Sequence, residues 1–392
     1  MGRSIRSAAV HVLTALLVVA CAAAPRAPIP MSPPPSAPRE APAAEASAGP
    51  VVLAPMGITA DPEEEIDPAR APAHPRGFSP GVPGELVRWE TNGDGRRYTN
   101  MPVRLASAAP AEIVVYATPN GNTIEQTLGR QRGTDESFRY DIQHVLAQVR
   151  LYRKEVPERT VALVVLEAPD LSWPTWRQAH TDAPARAAAM MKSIGDLLPG
   201  SKLSLVSHSG GGALTFALLN HAQTLPDAVE RIAFLDSHYA FEAGEEHGKK
   251  LAAWIRASRT HHLVALAYDD RKIRLHGKRV VKPGGGSFNA TFRMIQALEA
   301  ERMPVRESHE GAFRRFVGED GRVELRVHPN PKNVILHSAL VSDDNGLLFA
   351  LARGKGETLE ARFRLGPPRL FTALVDPPPS GGNASAAATS TP

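Results

Sequence analysis

The 392-residue chain has one cysteine, Cys21, so it cannot close an intrachain disulfide and must draw its stability from a buried core. It is not strongly charged in either direction: 45 Lys and Arg against 41 Asp and Glu leave a formal charge of +4. No basic cluster with interleaved aromatics occurs, which argues against nucleic acid as a partner. His261 and His262 have no other ligand types near them at metal spacing, so no zinc site is suggested, and neither a metal nor an organic cofactor is expected. The sequence shows no internal repeat, which excludes a solenoid.

The one long apolar run, Ala8 to Ala20, follows Arg3 and Arg6. It is too short to span a bilayer comfortably and has the form of a secretory signal over residues 1–20. Val18-Val19-Ala20-Cys21 resembles the lipobox of bacterial lipoproteins. The resemblance implies a diacylated Cys21 as the new N-terminus, holding the protein on a membrane of the bacterial cell envelope. Without that lipid the protein would be secreted. Residues 21–80 are rich in Pro and Ala and read as a tether, residues 81–375 as the folded domain, and residues 376–392 as a disordered tail.

Within the domain, Leu86 to Thr91 and Tyr98 to Leu105 flank the turn signal Asn92-Gly93-Asp94-Gly95 and predict a hairpin. Glu112 to Ala117 is a β-branched run, and Phe138 to Val156 carries apolar residues at helical spacing. Strands and helices then alternate: strands at Val161–Leu166, Leu203–Ser207, Ile232–Leu235, Leu263–Tyr268 and Val323–Val327, and helices near 184–198, 213–219, 247–257, 288–301 and 345–351. Trp173 and Trp176 fall in a loop. Thr358–Leu365 and Leu370–Val375 read as two edge strands. The pattern predicts an α/β fold with a mostly parallel sheet, helices on both faces and an antiparallel N-terminal hairpin.

The stretch Leu203-Ser-Leu-Val-Ser-His-Ser-Gly-Gly-Gly212, followed by the apolar Ala213 to Leu219, has the character of a buried strand turning sharply into a buried helix. Small residues two before and two after Ser209, Ser207 and Gly211, let strand and helix approach. A phosphate-binding turn is the competing reading, but the lysine of a P-loop is missing. The pattern is similar to the Gly-x-Ser-x-Gly nucleophile elbow, with Ser207 in place of the first glycine.

Elbow, strand order and hairpin together resemble the α/β-hydrolase fold over about residues 85–352. That resemblance implies a serine nucleophile, Ser209, after the fifth strand counted from Leu86. It implies an acid after the seventh, where Asp269 and Asp270 stand, with Asp270 preferred. Asp236, after the sixth strand, is the alternative, because some families of the fold carry the acid there. The base would be His337, after the eighth strand, with His328 as competitor, and His208 would serve packing. Oxyanion donors would be Gly121 or Asn122, in the loop after the third strand, together with Gly210. The expected activity is an envelope-anchored serine hydrolase cleaving an ester or amide in a small-molecule, acyl or peptide substrate. The alternative is a catalytically silent binding lipoprotein of the same fold.

Overall fold

The computed structural model describes residues 77–133, 140–221 and 225–378. The expected signal, Cys21 and nearly all of the expected tether and tail lie outside these residues. In chain order the strands are β1 (Ser79–Pro80), β2 (Glu85–Asn92), β3 (Gly95–Pro102), β4 (Ala109–Ala117), β5 (Arg159–Glu167), β6 (Lys202–His208), β7 (Val229–Leu235), β8 (His262–Tyr268), β9 (Arg274–Leu275), β10 (Lys278–Arg279), β11 (Val305–Glu310), β12 (Phe313–Gly318) and β13 (Val323–His328). The helices are α1 (Ile124–Leu128), α2 (Val145–Glu155), α3 (Trp173–Ala179), α4 (Ala183–Gly195), α5 (Gly212–Leu219), α6 (His247–Ala257), α7 (Gly286–Ala300), α8 (Gly346–Ala352) and α9 (Glu357–Arg362).

Among the described residues, eleven strands form one sheet in the order β1-β2-β3-β5-β4-β6-β7-β8-β13-β12-β11. The six central strands, β5 to β13 in that order, pair in parallel, and antiparallel strands flank them on both sides. This is the α/β-hydrolase arrangement: an antiparallel start, a crossover that places β4 between β5 and β6, and then parallel strands laid down in sequence.

Successive side chains of a strand point to opposite faces, and here both faces are buried. Ile113, Val115 and Ala117 of β4 pack under α3 to α7, while Val114 and Tyr116 of the same strand pack under α1, α2, α8 and α9. Every residue of α5 is buried, which explains why its sequence is apolar all round rather than amphipathic.

Three local readings change. Trp173 and Trp176 lie three residues apart on α3, whose start is capped by the Ser172 side chain accepting from the Thr175 N–H. Residues 357–362 are helical rather than an edge strand, because the buried Leu359 and Phe363 lie four residues apart and so on one helical face. Residues 370–375 contain only a short helical turn. The hairpin of β11 and β12 gave no alternating apolar signal, since five of the six β11 residues are exposed.

Candidate active site

Parallel pairing brings the carboxyl ends of β6, β7, β8 and β13 to one edge of the sheet. His208 is level with Leu235, Leu235 with Leu266, and Tyr268 with His328. The residues that follow these strand ends, Ser209, Asp236, Asp269 and Asp270, therefore share that edge. Ligands of open α/β sheets bind outside this end of the strands.

Ser209 adopts φ +52°, a left-handed conformation that is uncommon for a residue with a Cβ, and it is buried. Its neighbours explain how the turn closes. A Cβ on Gly211 would overlap the Ala117 carbonyl, and one on Gly212 would overlap the Ser237 carbonyl. Ser207 is accommodated by pairing: Ser237 Oγ donates to the Ser207 carbonyl at 3.0 Å, and the Ser207 hydroxyl meets Ser237 Oγ at 2.7 Å.

His337 lies on the loop between β13 and α8. Its Nδ1 donates to Asp236 Oδ2 at 2.5 Å, and among the described residues Nε2 has no hydrogen-bond partner. The carboxylate against His337 is thus Asp236, not the preferred Asp270. Asp236 is itself in the left-handed region at φ +50° and donates its N–H to the Leu266 carbonyl at 2.8 Å, which sets its side chain beyond the strand end. Asp269 pairs with Arg271 at 2.7 Å, and this guanidinium holds its carboxyl below the usual range. Asp270 contacts the start of α7 instead of His337.

His208 does more than pack. Its Nε2 donates to the His337 carbonyl at 3.1 Å, and the two rings lie 4.5 Å apart. Complete burial pushes its pKa well down, so it is neutral and acts as a fixed prop for the His337 loop. His328 accepts the Asn330 N–H at 3.0 Å and stacks edge-on with Phe313, away from Asp236.

The loop after β4 approaches the elbow through a different residue from those expected. The Gly121 N–H donates to the Leu171 carbonyl at 2.9 Å and the Asn122 N–H to the Pro119 carbonyl at 3.3 Å, so both are committed within the fold. Asn120 instead presses on Gly210, where any Cβ would overlap its side-chain amide, and Asn120 Oδ1 is buried without a partner among the described residues. Tyr239 lies on the loop that follows β7, and burial pushes its pKa up. Among the described residues no hydrogen bond joins Ser209 to His337. The loop that carries Asn120 was marked in the sequence by Pro119-Asn120-Gly121-Asn122, but which of its residues meets the elbow depends on how the two loops pack.

No protein-family model matches the chain, and no curated protein matches it. Solved structures to which it is similar include the siderophore hydrolase EstB from Aspergillus nidulans, at a TM-score of 0.39 and 11% identity over 71% of this chain and 97% of that one. The S954A mutant of the feruloyl esterase module from Clostridium thermocellum gives 0.36 and 11%, over 67% and 92%. A cold-adapted esterase from an Arctic intertidal metagenomic library gives 0.31 and 10%, over 56% and 82%. At this distance the site has to be read from the chain's own residues.

Proposed function

We propose that the protein is a serine hydrolase of carboxylic esters or amides, with Ser209 as nucleophile, His337 as general base and Asp236 as the acid. The observation that carries this reading is the 2.5 Å contact between Asp236 and the Nδ1 of His337, on the same sheet edge as a serine held in a left-handed turn. A buried carboxylate on Nδ1 fixes the tautomer that leaves Nε2 as base and stabilises the imidazolium that forms.

In the proposed cycle Ser209 Oγ attacks the carbonyl carbon while its proton passes to His337 Nε2. The tetrahedral oxyanion accepts hydrogen bonds from the Gly210 N–H and from groups of the loop at Asn120, each such donor being worth roughly 3 kcal/mol in the transition state. Collapse of the intermediate sends the His337 proton to the leaving alcohol or amine, and water then releases the acyl group by the same route in reverse.

The finer reading adds a place of work. A lipid on Cys21, followed by the long Pro- and Ala-rich stretch, would tether the domain to an envelope membrane. The deciding experiment for the chemistry is labelling with a fluorescent fluorophosphonate, comparing the wild type with Ser209→Ala and His337→Ala. Labelling lost in both variants is expected. A folded wild type that does not label would reject the reading in favour of a silent binding protein.

A further inference from the structure

Asp270 occupies the chain position where an acid was expected, yet it touches neither His337 nor Ser209. It is 5% exposed at the end of β8, and its Oδ2 accepts the Ser287 N–H at 2.9 Å. Among the described residues, Oδ1 has no hydrogen-bond partner. Gly286, at φ +83°, makes the approach possible, because a Cβ there would collide with the Asp270 carboxyl.

Ser287 faces two carboxyl groups. Its hydroxyl donates to Asp236 Oδ1, the oxygen that His337 does not use, and lies 3.4 Å from Asp270 Oδ2. A serine has one proton to give. With that proton on Asp236, Ser287 turns lone pairs toward Asp270, which suits a protonated Asp270 and not an ionised one. Burial and the charge of Asp236 act in the same direction, pushing the Asp270 pKa up to about 7. The other titratable groups facing Asp270 are Tyr268 of the same strand and Arg271, which is committed to Asp269 and lies over the Phe288 ring.

We infer that Asp270 and Ser287 are positioning residues for the Asp236–His337 pair: Asp270 anchors the first turn of α7, and the Ser287 hydroxyl carried there locks the free oxygen of Asp236. The inference rests on the serine-hydrolase reading and deepens it, since it names a regulator of the same site. A protonated Asp270 leaves the negative charge on Asp236, facing His337. An ionised Asp270 competes for the Ser287 proton and loosens that lock.

The test combines p-nitrophenyl acetate hydrolysis from pH 5 to 9 with the downfield proton resonance of His337 Nδ1–H, in the wild type, Ser287→Ala, Ser287→Thr and Asp270→Asn. Ser287→Ala is expected to lower kcat about 10- to 100-fold with KM changed less than twofold, and to weaken the resonance. Ser287→Thr, which keeps the hydroxyl, should recover most of kcat. Asp270→Asn keeps the shape but cannot ionise, so its kcat–pH profile should lose an inflection near pH 7 that the wild type shows. Folded Ser287→Ala and Asp270→Asn proteins with wild-type kcat, pH profile and resonance would overturn the inference. A wild type that neither hydrolyses the ester nor labels with fluorophosphonate would reject the serine-hydrolase reading. In that case the resonance, compared between wild type and Ser287→Ala, still decides whether Ser287 holds Asp236.

Discussion

Ser237 donates its hydroxyl to the Ser207 carbonyl at 3.0 Å, so the residue after Asp236 is bonded to the residue two before Ser209. The two loops that carry Asp236 and Ser209 are held together by a buried pair of serines. Ser237→Ala removes the donor and leaves the Ser207 hydroxyl without its partner. Burying an unpaired polar group costs about 1–3 kcal/mol, and chemical denaturation should show a loss of that size with a smaller effect on KM than on kcat.

The Asp236–His337 contact separates the three candidate acids. Asp236→Asn should lower kcat for an activated ester by about three orders of magnitude or more, because the amide no longer enforces the Nδ1–H tautomer. Asp269→Asn, whose carboxylate is turned to Arg271, should stay within about threefold of wild type. Steady-state kinetics on both variants checks the assignment, and equal losses would refute it.

Gly210 and Asn120 are coupled by contact. Gly210→Ala forces its methyl into the Asn120 amide and should abolish fluorophosphonate labelling. Adding Asn120→Ala to Gly210→Ala clears that overlap. If crowding alone disables the single variant, labelling should return in part, and a double-mutant cycle of labelling rates measures the coupling.

Stability should rise between about pH 4 and 6.5. His238 and His262 are buried, and desolvation brings their pKa values down to about 4. Between that value and the ordinary 6.5 the unfolded chain binds the extra protons, so raising the pH favours the folded state. Asp270 has the opposite sign. Its raised pKa means that the folded state binds the extra proton from about pH 4 to about 7, and stability is lost across that window. Asp270→Asn deletes this opposing part, on the order of 3 kcal/mol, so its stability relative to wild type should improve between pH 4 and pH 8. Urea denaturation at pH 4, 5, 6.5 and 8 reads both effects.

If Cys21 is the lipid-bearing residue, metabolic labelling of the protein expressed in a bacterial host with a fatty-acid probe should mark wild type and not Cys21→Ser, and the variant should partition into the soluble fraction. Unlabelled wild type would instead fit secretion by an ordinary signal.

The elements that were legible in the sequence are those with an intrinsic local signature. Apolar runs such as Val161–Leu166 marked strands buried on both faces, and Ser209 with Gly210 to Gly212 marked a turn that only small residues can make. His337 was indicated only by the resemblance, which implies a histidine in the loop after the eighth strand. The identity of its partner was not local. Asp236 and Asp270 each end an apolar strand, and nothing in their neighbours distinguishes an acid that meets a histidine from one that anchors a helix.

Only the tertiary structure decided that choice. A carboxylate's partner is set by which side chains converge within about 3 Å, and here the left-handed turn at Asp236 and the close approach allowed by Gly286 send the two acids in different directions. The same holds for the Gly121 and Asn122 N–H groups, which the sequence offered as free donors and the folded loop consumes. The sequence by itself determined the α/β sheet, the elbow and the edge at which chemistry can occur, because strand burial and turn sterics act over a few residues. The partners of each polar group were settled by packing between segments up to a hundred residues apart, as Asp236 and His337 are.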